Sequence, residues 1–401
     1  MSGRIYLDHN ATTPISSDVR NHLLEWSEAW GNPSSIHGAG RGPKLLLRES
    51  RDKIAKFIGA TPLEIIFTSG GSEANNLAVK GVFESTLARA GTGSRNHYLF
   101  SEVEHPSLIR SAEYLRSRGA KVDFIPVGRD GRINLAEYAR LLSNEVALVS
   151  VMMANNETGH LFPIREMVEM AHAHGALFHT DGVQALGKIP VDLRELGVDL
   201  ASFAGHKFYS LKGAGVLFSR RGVTLESLIH GGGQERQRRG GTENTLAIAA
   251  LGLMCENKSA VTDHASEMRA LRDHFEARVT SEIPLALITG PDAPRLPNTS
   301  SLVIPGVDGE ILLMNLDIKG FSISTGAACS SGSPEPSPVL LAMGLSRAEA
   351  QSSLRVGLGW STTREQIDLF ADTLVEVVDY LRTIGEFDIK SGKSREAYVH
   401  S

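Results

Sequence analysis

Residues 64–81, EIIFTSGGSEANNLAVKG, carry a β-rich run straight into a helix-length segment through a Gly-Gly-Ser turn. A strand that passes directly into a helix is half of a βαβ unit, whose crossover helix packs back onto a parallel sheet. The alternation continues outward from this stretch. NHYLFS, VDFIPV, VALVSVMM, ALFHTD and DLASFAG are further short β-rich runs, separated by amphipathic segments up to about residue 260. The expected fold class is α/β, with a large domain over 15–260 built on a mostly parallel sheet covered by helices on both faces.

Near Val261 the pattern changes to a long charged helix, ASEMRALRDHFEARVT, followed by SSLVIPG, EILLMNLDIKG and EQIDLFADTLVEVVDYLRTIG. This predicts a smaller α+β domain over 261–386, completed by residues 1–14. The polar stretch 387–401 reads as a frayed tail.

Composition narrows the function classes. The 401 residues are 41% hydrophobic and 22% charged, which excludes disorder as the overall state. With 41 Lys and Arg against 46 Asp and Glu, no strong field recruits nucleic acid or an anionic membrane, so the expected substrate is small. No apolar run is long enough for a membrane span and no signal-peptide pattern opens the chain, so a cytoplasmic location is expected. The two cysteines, Cys255 and Cys329, lie in unlike contexts without metal-ligand spacing, so neither a disulfide framework nor a metal site is expected.

In open α/β sheets ligands sit outside the carboxyl ends of the strands, so motifs that directly follow strands carry weight. Gly71 and Ser72 follow EIIFTS, where a helix N-terminus suits a phosphate, although an ordinary Ser cap has the same appearance. Asp181 ends ALFHTD and is either a helix cap or the carboxylate that keeps a pyridinium nitrogen protonated. His206 and Lys207 follow DLASFAG, and a strand-end lysine can form a Schiff base with an aldehyde cofactor, whereas most lysines are merely solvated. Cys329 lies in STGAACSSGSPEPSPVL, a small-residue stretch expected to be an exposed loop, while Cys255 falls on an apolar helical pattern and reads as packed and inert. His172 and His174 are two apart on an expected helix and face different ways. Arg236, Arg238 and Arg239 could meet nucleic acid, a second subunit or a small anion; the last is the reading adopted.

Taken in order, YLDHNATTP, GNPSSIHGAGR, FTSGGSEANNLAVKG, EHPS, ANNETG, HTDGVQALGKIPVD, GHKFYSLKGAGVLF, GGGQERQRRGGTEN and TGAACSSGS resemble the cysteine desulfurases of the NifS/IscS kind along nearly the whole chain. The resemblance implies a fold-type I architecture dependent on pyridoxal 5'-phosphate (PLP), with a seven-stranded sheet and a homodimer. It implies that Lys207 holds PLP and removes the substrate Cα proton, that His105 stacks on the ring and relays protons, and that Asp181 meets the ring nitrogen. Asn156 and Gln184 would face the phenolic oxygen, and Gly71, Ser72 and His206 would hold the phosphate with Thr242 from the other subunit. Arg355, helped by Asn32, would bind the substrate carboxylate. Sulfur from L-cysteine would pass to Cys329 as a persulfide, leaving alanine, and then to an acceptor such as an iron–sulfur scaffold or sulfur carrier.

Three positions depart from the family pattern. Ala204 stands where Ser or Thr is usual, which removes one phosphate hydroxyl. Ser210 stands at a usual glycine and would be strained if the turn needs a positive φ there. Trp360 stands where Arg is frequent. Two rival readings follow. An aminotransferase or selenocysteine lyase would share the set without needing Cys329. A non-enzymatic scaffold in sulfur trafficking would have no physical need of Lys207, His105, Asp181, Gln184, Cys329 and Arg355 together.

Overall fold

The computed structural model describes residues 3–88, 95–325, 335–390 and 392–394. The first strand, β1 (Ile5–Tyr6), is followed by the seven that form the main sheet: β2 (Ile65–Thr68), β3 (His97–Ser101), β4 (Lys121–Ile125), β5 (Val146–Ser150), β6 (Leu177–Asp181), β7 (Leu200–Ala204) and β8 (Gly215–Ser219). Their order across the sheet is β2-β8-β7-β6-β5-β3-β4. All neighbours are parallel except β8, which runs antiparallel to both β2 and β7. The ends of β2 and β7 that lead onward therefore lie on the same sheet edge.

The strands are buried on both faces, as β5 shows with Val-Ala-Leu-Val-Ser and no exposed position. Successive side chains separate into two cores, as the period of two requires. Leu99, Val149, Phe178 and Val216 join one, and Tyr98, Leu148, Leu200 and Leu217 join the other. The helix Gly71–Ala88 covers the second face; at Gly81 an added Cβ would lie 3.0 Å from the Glu226 carbonyl, so a small residue is needed for that approach.

A further core gathers Leu7, Phe275, Val279, Leu302, Leu354, Val356 and Phe370. It surrounds β10 (Thr299–Val303), which pairs antiparallel with both β9 (Leu287–Ile288) and β12 (Ser353–Gly357). β1 pairs in parallel with β11 (Phe321–Ser322), which ties the start of the chain to this core. The helices Lys258–Glu282 and Arg364–Ile384 pack over it, capped by Asn257 and by a Thr363/Gln366 capping box. We take this core as the centre of the proposed small domain.

The frayed tail expected over 387–401 does not begin at 387. β13 (Phe387–Asp388) pairs antiparallel with β14 (Lys393–Ser394), and the Arg382 guanidinium sits 5.3 Å from the Phe387 ring centre. That packing supplies the apolar contact that the polar composition concealed. Among the described residues, no helix is long and apolar enough to cross a membrane.

Candidate active site

A cavity of about 240 Å³ opens where the strand ends meet the further core around β10 and β12. Gly71 and Ser72 follow β2, His105 follows β3, and Met152, Ala154 and Asn156 follow β5. Asp181, Val183 and Gln184 come from the end of β6, and Ala204, His206 and Lys207 from the end of β7. Asn10, Ala11 and Arg355 close it from the other side.

Lys207 ends a single helical turn, Gly205–Lys207, directly after β7. Its Nζ donates to the carbonyls of Asn10 at 2.5 Å and Ala11 at 2.6 Å. Burial, then the nearby Arg355 charge, pull its pKa down to about 8, with Asp8 and Asp181 opposing. A lysine so placed spends much more time as a free amine than an exposed one does.

Asp181 accepts from Asn75 Nδ2 at 2.7 Å and from the Val183 N–H at 2.9 Å. It therefore serves its local turn and still presents a buried carboxylate to the cavity. Asn75 also donates to Ser107 Oγ at 3.0 Å, and that hydroxyl lies 2.8 Å from His105 Nδ1. His105 caps the helix Pro106–Ser117 by accepting from the Ser107 N–H. Burial lowers its pKa below the ordinary histidine value, with Asp181 opposing and Lys207 adding. The ring is neutral at neutral pH and suited to lie against a flat aromatic ligand. Burial, with Lys207, Lys212 and Lys188 adding, takes His206 down to about 4, and its Nδ1 lies 3.1 Å from Thr12 Oγ1.

The Gly71 end of the cavity is a cradle that a side chain would fill, since an added Cβ would meet Val183 Cγ2 at 2.8 Å and the Ala204 methyl at 3.5 Å. The helix N-terminus here leaves backbone N–H groups for an anion. Opposite, Arg355 donates to Asp8 Oδ1 at 2.8 Å and to the Asn156 carbonyl at 3.1 Å, while its buried Nε has no partner among the described residues. Arg355 lines the cavity, and a guanidinium there suits a carboxylate.

The structure brings together Gly71, Ser72, His105, Asn156, Asp181, Gln184, His206, Lys207 and Arg355. Asn32 and Thr242 are exposed and do not line the cavity; Asn32 Oδ1 is taken by the Ser34 N–H at 2.8 Å. Cys329 lies outside the described residues. Cys255 is buried, and burial pushes its thiol pKa well up.

Two expectations need correction. The positive φ after Lys207 falls on Tyr209, at 52°, and not on Ser210. Tyr209 is held there by its N–H donating to Thr13 Oγ1 at 2.7 Å, by the Trp360 N–H donating to its hydroxyl at 2.7 Å, and by a ring stack on Trp360 at 4.4 Å. Trp360 stacks on its other neighbour, His264, also at 4.4 Å. The small-anion reading fails for two of the three arginines, because Arg239 pairs with Glu73 at 2.9 Å and Arg238 donates to the carbonyls of Leu63 and Glu235. Glu73 offsets the charge of Arg239, and backbone carbonyls take the donors of Arg238.

Sequence reasoning missed Asn10, Asn75, Glu104 and Lys188. Asn75 and Lys188 sit four residues after Gly71 and Gln184, and Asn10 and Glu104 lie inside quoted motifs, but no spacing rule marks them. Glu104 is wholly buried; its Oε1 accepts from Ser101 Oγ at 2.5 Å and from the Met152 N–H at 2.7 Å, and burial lifts its pKa to about 8. No cluster among the described residues could hold a metal ion.

Residues 5–370 match the family described as Aminotransferase class-V. The chain is 41% identical over 389 residues to cysteine desulfurase IscS of Dictyoglomus turgidum, covering 96% of this chain and 98% of that one. It is 40% identical over 386 residues to cysteine desulfurase NifS of Azotobacter vinelandii, covering 96% and 94%. A solved structure described as a NifS-like protein superposes with a TM-score of 0.87 at 34% identity, over 94% of this chain and all of that one. The architecture is that of fold-type I PLP enzymes. With the sheet, the strand-end cavity and these likenesses in agreement, the chain belongs to the class-V aminotransferase family and, within it, to the cysteine desulfurases of the NifS/IscS kind.

Proposed function

We propose that this chain converts L-cysteine to L-alanine and transfers the sulfur to Cys329 as a persulfide for delivery to an acceptor protein. The observation that carries the reading is the meeting of Lys207, Asp181, His105 and Arg355 around one cavity at the strand ends. The residues fit PLP. Lys207 would hold it covalently, Asp181 would face its ring nitrogen and His105 its ring. Gly71, Ser72 and His206 would surround the phosphate, with Thr242 of a second subunit, and Asn156 and Gln184 would lie on the phenolic oxygen side. When bound, PLP supplies an electron sink for the pair left at the substrate Cα.

The protein's own groups do the rest. Arg355, aided by Asn32, orients the substrate through its carboxylate. The Lys207 amine, with its lowered pKa, takes the Cα proton. Cys329 Sγ attacks the substrate sulfur as a thiolate; the carbon–sulfur bond breaks, and the sulfur stays on Cys329. A cytoplasmic homodimer belongs to the same reading. Leu24, Trp30 and Ile36, at 82%, 81% and 98% exposure in the single chain, support a covering subunit. The acceptor would be an iron–sulfur scaffold or a sulfur carrier.

The test is an absorbance spectrum of the PLP-loaded protein, followed by L-cysteine addition with alanine and sulfide measured, alongside Cys329→Ala. A visible cofactor band with equimolar alanine and reducible sulfur, lost in Cys329→Ala, is expected. Turnover that survives Cys329→Ala points to a related PLP reaction, and a protein that takes up no PLP favours the scaffold.

A further inference from the structure

Lys188 is 5% exposed, yet among the described residues it forms no ion pair. Its Nζ donates instead to two neutral oxygens, Gln184 Oε1 and, at 3.2 Å, Asn10 Oδ1. Gln184 Nε2 in turn donates to the Asn10 carbonyl at 3.0 Å, the same oxygen that receives Lys207 Nζ at 2.5 Å. A lysine buried without a counter-ion is costly, and a methionine would fill its volume without that cost. Burial, followed by the charges of Lys207 and Arg355, pushes its pKa well below the ordinary lysine value, with Asp8 opposing. Charged or neutral, the group keeps hydrogens for both oxygens it meets.

From this arrangement we infer that Lys188 is a positioning residue that fixes which end of the Gln184 amide faces the cofactor cavity. The two ends of an amide are nearly equal in size, so their neighbours decide the orientation. If the amide were reversed, its NH₂ would meet the donating Lys188 Nζ and its oxygen would meet the Asn10 carbonyl. The oxygen–oxygen contact is repulsive whatever the state of Lys188, and the contact with Nζ is repulsive when Lys188 is charged, because an ammonium has no lone pair with which to accept. With Lys188 in place, the acceptor end of Gln184 is taken by Nζ and its donor end turns to the Asn10 carbonyl that also receives Lys207 Nζ. Asn10 completes the clamp. Its side chain bonds Lys188, Asn298 at 3.0 Å and Thr299 at 2.9 Å, so the Asn10 side-chain amide that meets Lys188 is itself tied to β10.

This inference rests on the proposed placement of Gln184 beside the cofactor's phenolic oxygen. A donor there favours the deprotonated oxygen, so loss of its orientation raises the pH at which the bound cofactor's visible band titrates. The full-length PLP-loaded protein, Lys188→Met, Gln184→Ala and the double variant are titrated by absorbance, with Tm recorded for each. Lys188→Met is expected to move the midpoint upward by about half a unit to one unit. In the Gln184→Ala background the same change is expected to move it little, because the group it orients is gone. Lys188→Arg, which keeps N–H donors, is expected to hold the wild-type midpoint even if the methionine variant folds poorly.

An unchanged midpoint in folded Lys188→Met overturns the inference. So does an equal shift in both backgrounds, which would mark a direct effect of the Lys188 charge, or a shift in Lys188→Arg as large as that in Lys188→Met. A wild type that develops no cofactor band overturns the placement of Gln184, and this inference with it.

Discussion

Asn75 Nδ2 reaches from the first turns of the helix Gly71–Ala88 to donate to Asp181 Oδ2, 2.7 Å away at the end of β6. The residue that follows the proposed phosphate cradle by one helical turn thereby steadies the carboxylate proposed to face the cofactor ring nitrogen. Asn75→Ala removes a neutral donor from a carboxylate that is 5% exposed. The loss of such a bond costs about 1.5–3 kcal/mol, so PLP affinity is expected to fall by about tenfold or more. Fluorescence titration of apo-protein with PLP measures this, and an unchanged Kd would remove Asn75 from the site.

Lys207 should react with PLP as a lysine whose pKa is about 8. Only the free amine attacks the aldehyde, so loading of apo-protein is expected to accelerate as pH rises through about 8 and to level off above it. An ordinary lysine would continue to gain up to a pKa of about 10.4. Stopped-flow absorbance between about pH 6 and pH 10 separates the two, and Lys207→Arg should show no covalent phase at any pH.

Glu104 predicts a pH-dependent stability. Its folded pKa, about 8, lies above the 4.5 of an ordinary glutamate because the carboxyl is wholly buried. The folded state thus binds the proton more tightly, and the stability this contributes is complete below pH 4.5 and is lost as pH rises through about 8. Glu104→Gln retains an acceptor for Ser101 and Met152 but does not titrate. Between about pH 4.5 and 7 the wild type should therefore lose roughly 3 kcal/mol relative to the variant. Denaturant melts of both proteins at several pH values measure the difference, and parallel curves would show that the carboxyl is not kept protonated.

Arg355→Lys keeps a positive charge but gives up the planar, bidentate geometry suited to a carboxylate. KM for L-cysteine is expected to rise by about tenfold to a hundredfold, with PLP content and absorbance nearly unchanged. Steady-state alanine formation tests this. Should KM hold steady while kcat falls, Arg355 would belong to the chemical step and not to substrate binding.

Much of this protein was legible before folding. Alternating β-rich and amphipathic runs carried the parallel sheet, because side-chain period and strand length are local properties. The strand-end position of Asp181 and of His206-Lys207 was equally local, as was the buried character of Cys255. What only the tertiary structure decided is which distant residues meet. Asn10 and Lys207 are 197 residues apart in sequence and share a hydrogen bond. Arg355 and Asp8 are separated by 347 and form an ion pair. The positive φ settled on Tyr209 and not on Ser210 because Thr13 and Trp360, both remote in the chain, hold the tyrosine there. Likewise Arg238 and Arg239 turned inward once the fold brought acceptors from residues 63 and 73 beside them. Sequence patterns record what each segment favours on its own, whereas pKa values, buried hydrogen bonds and the choice of amide orientation at Gln184 depend on neighbours that packing alone supplies.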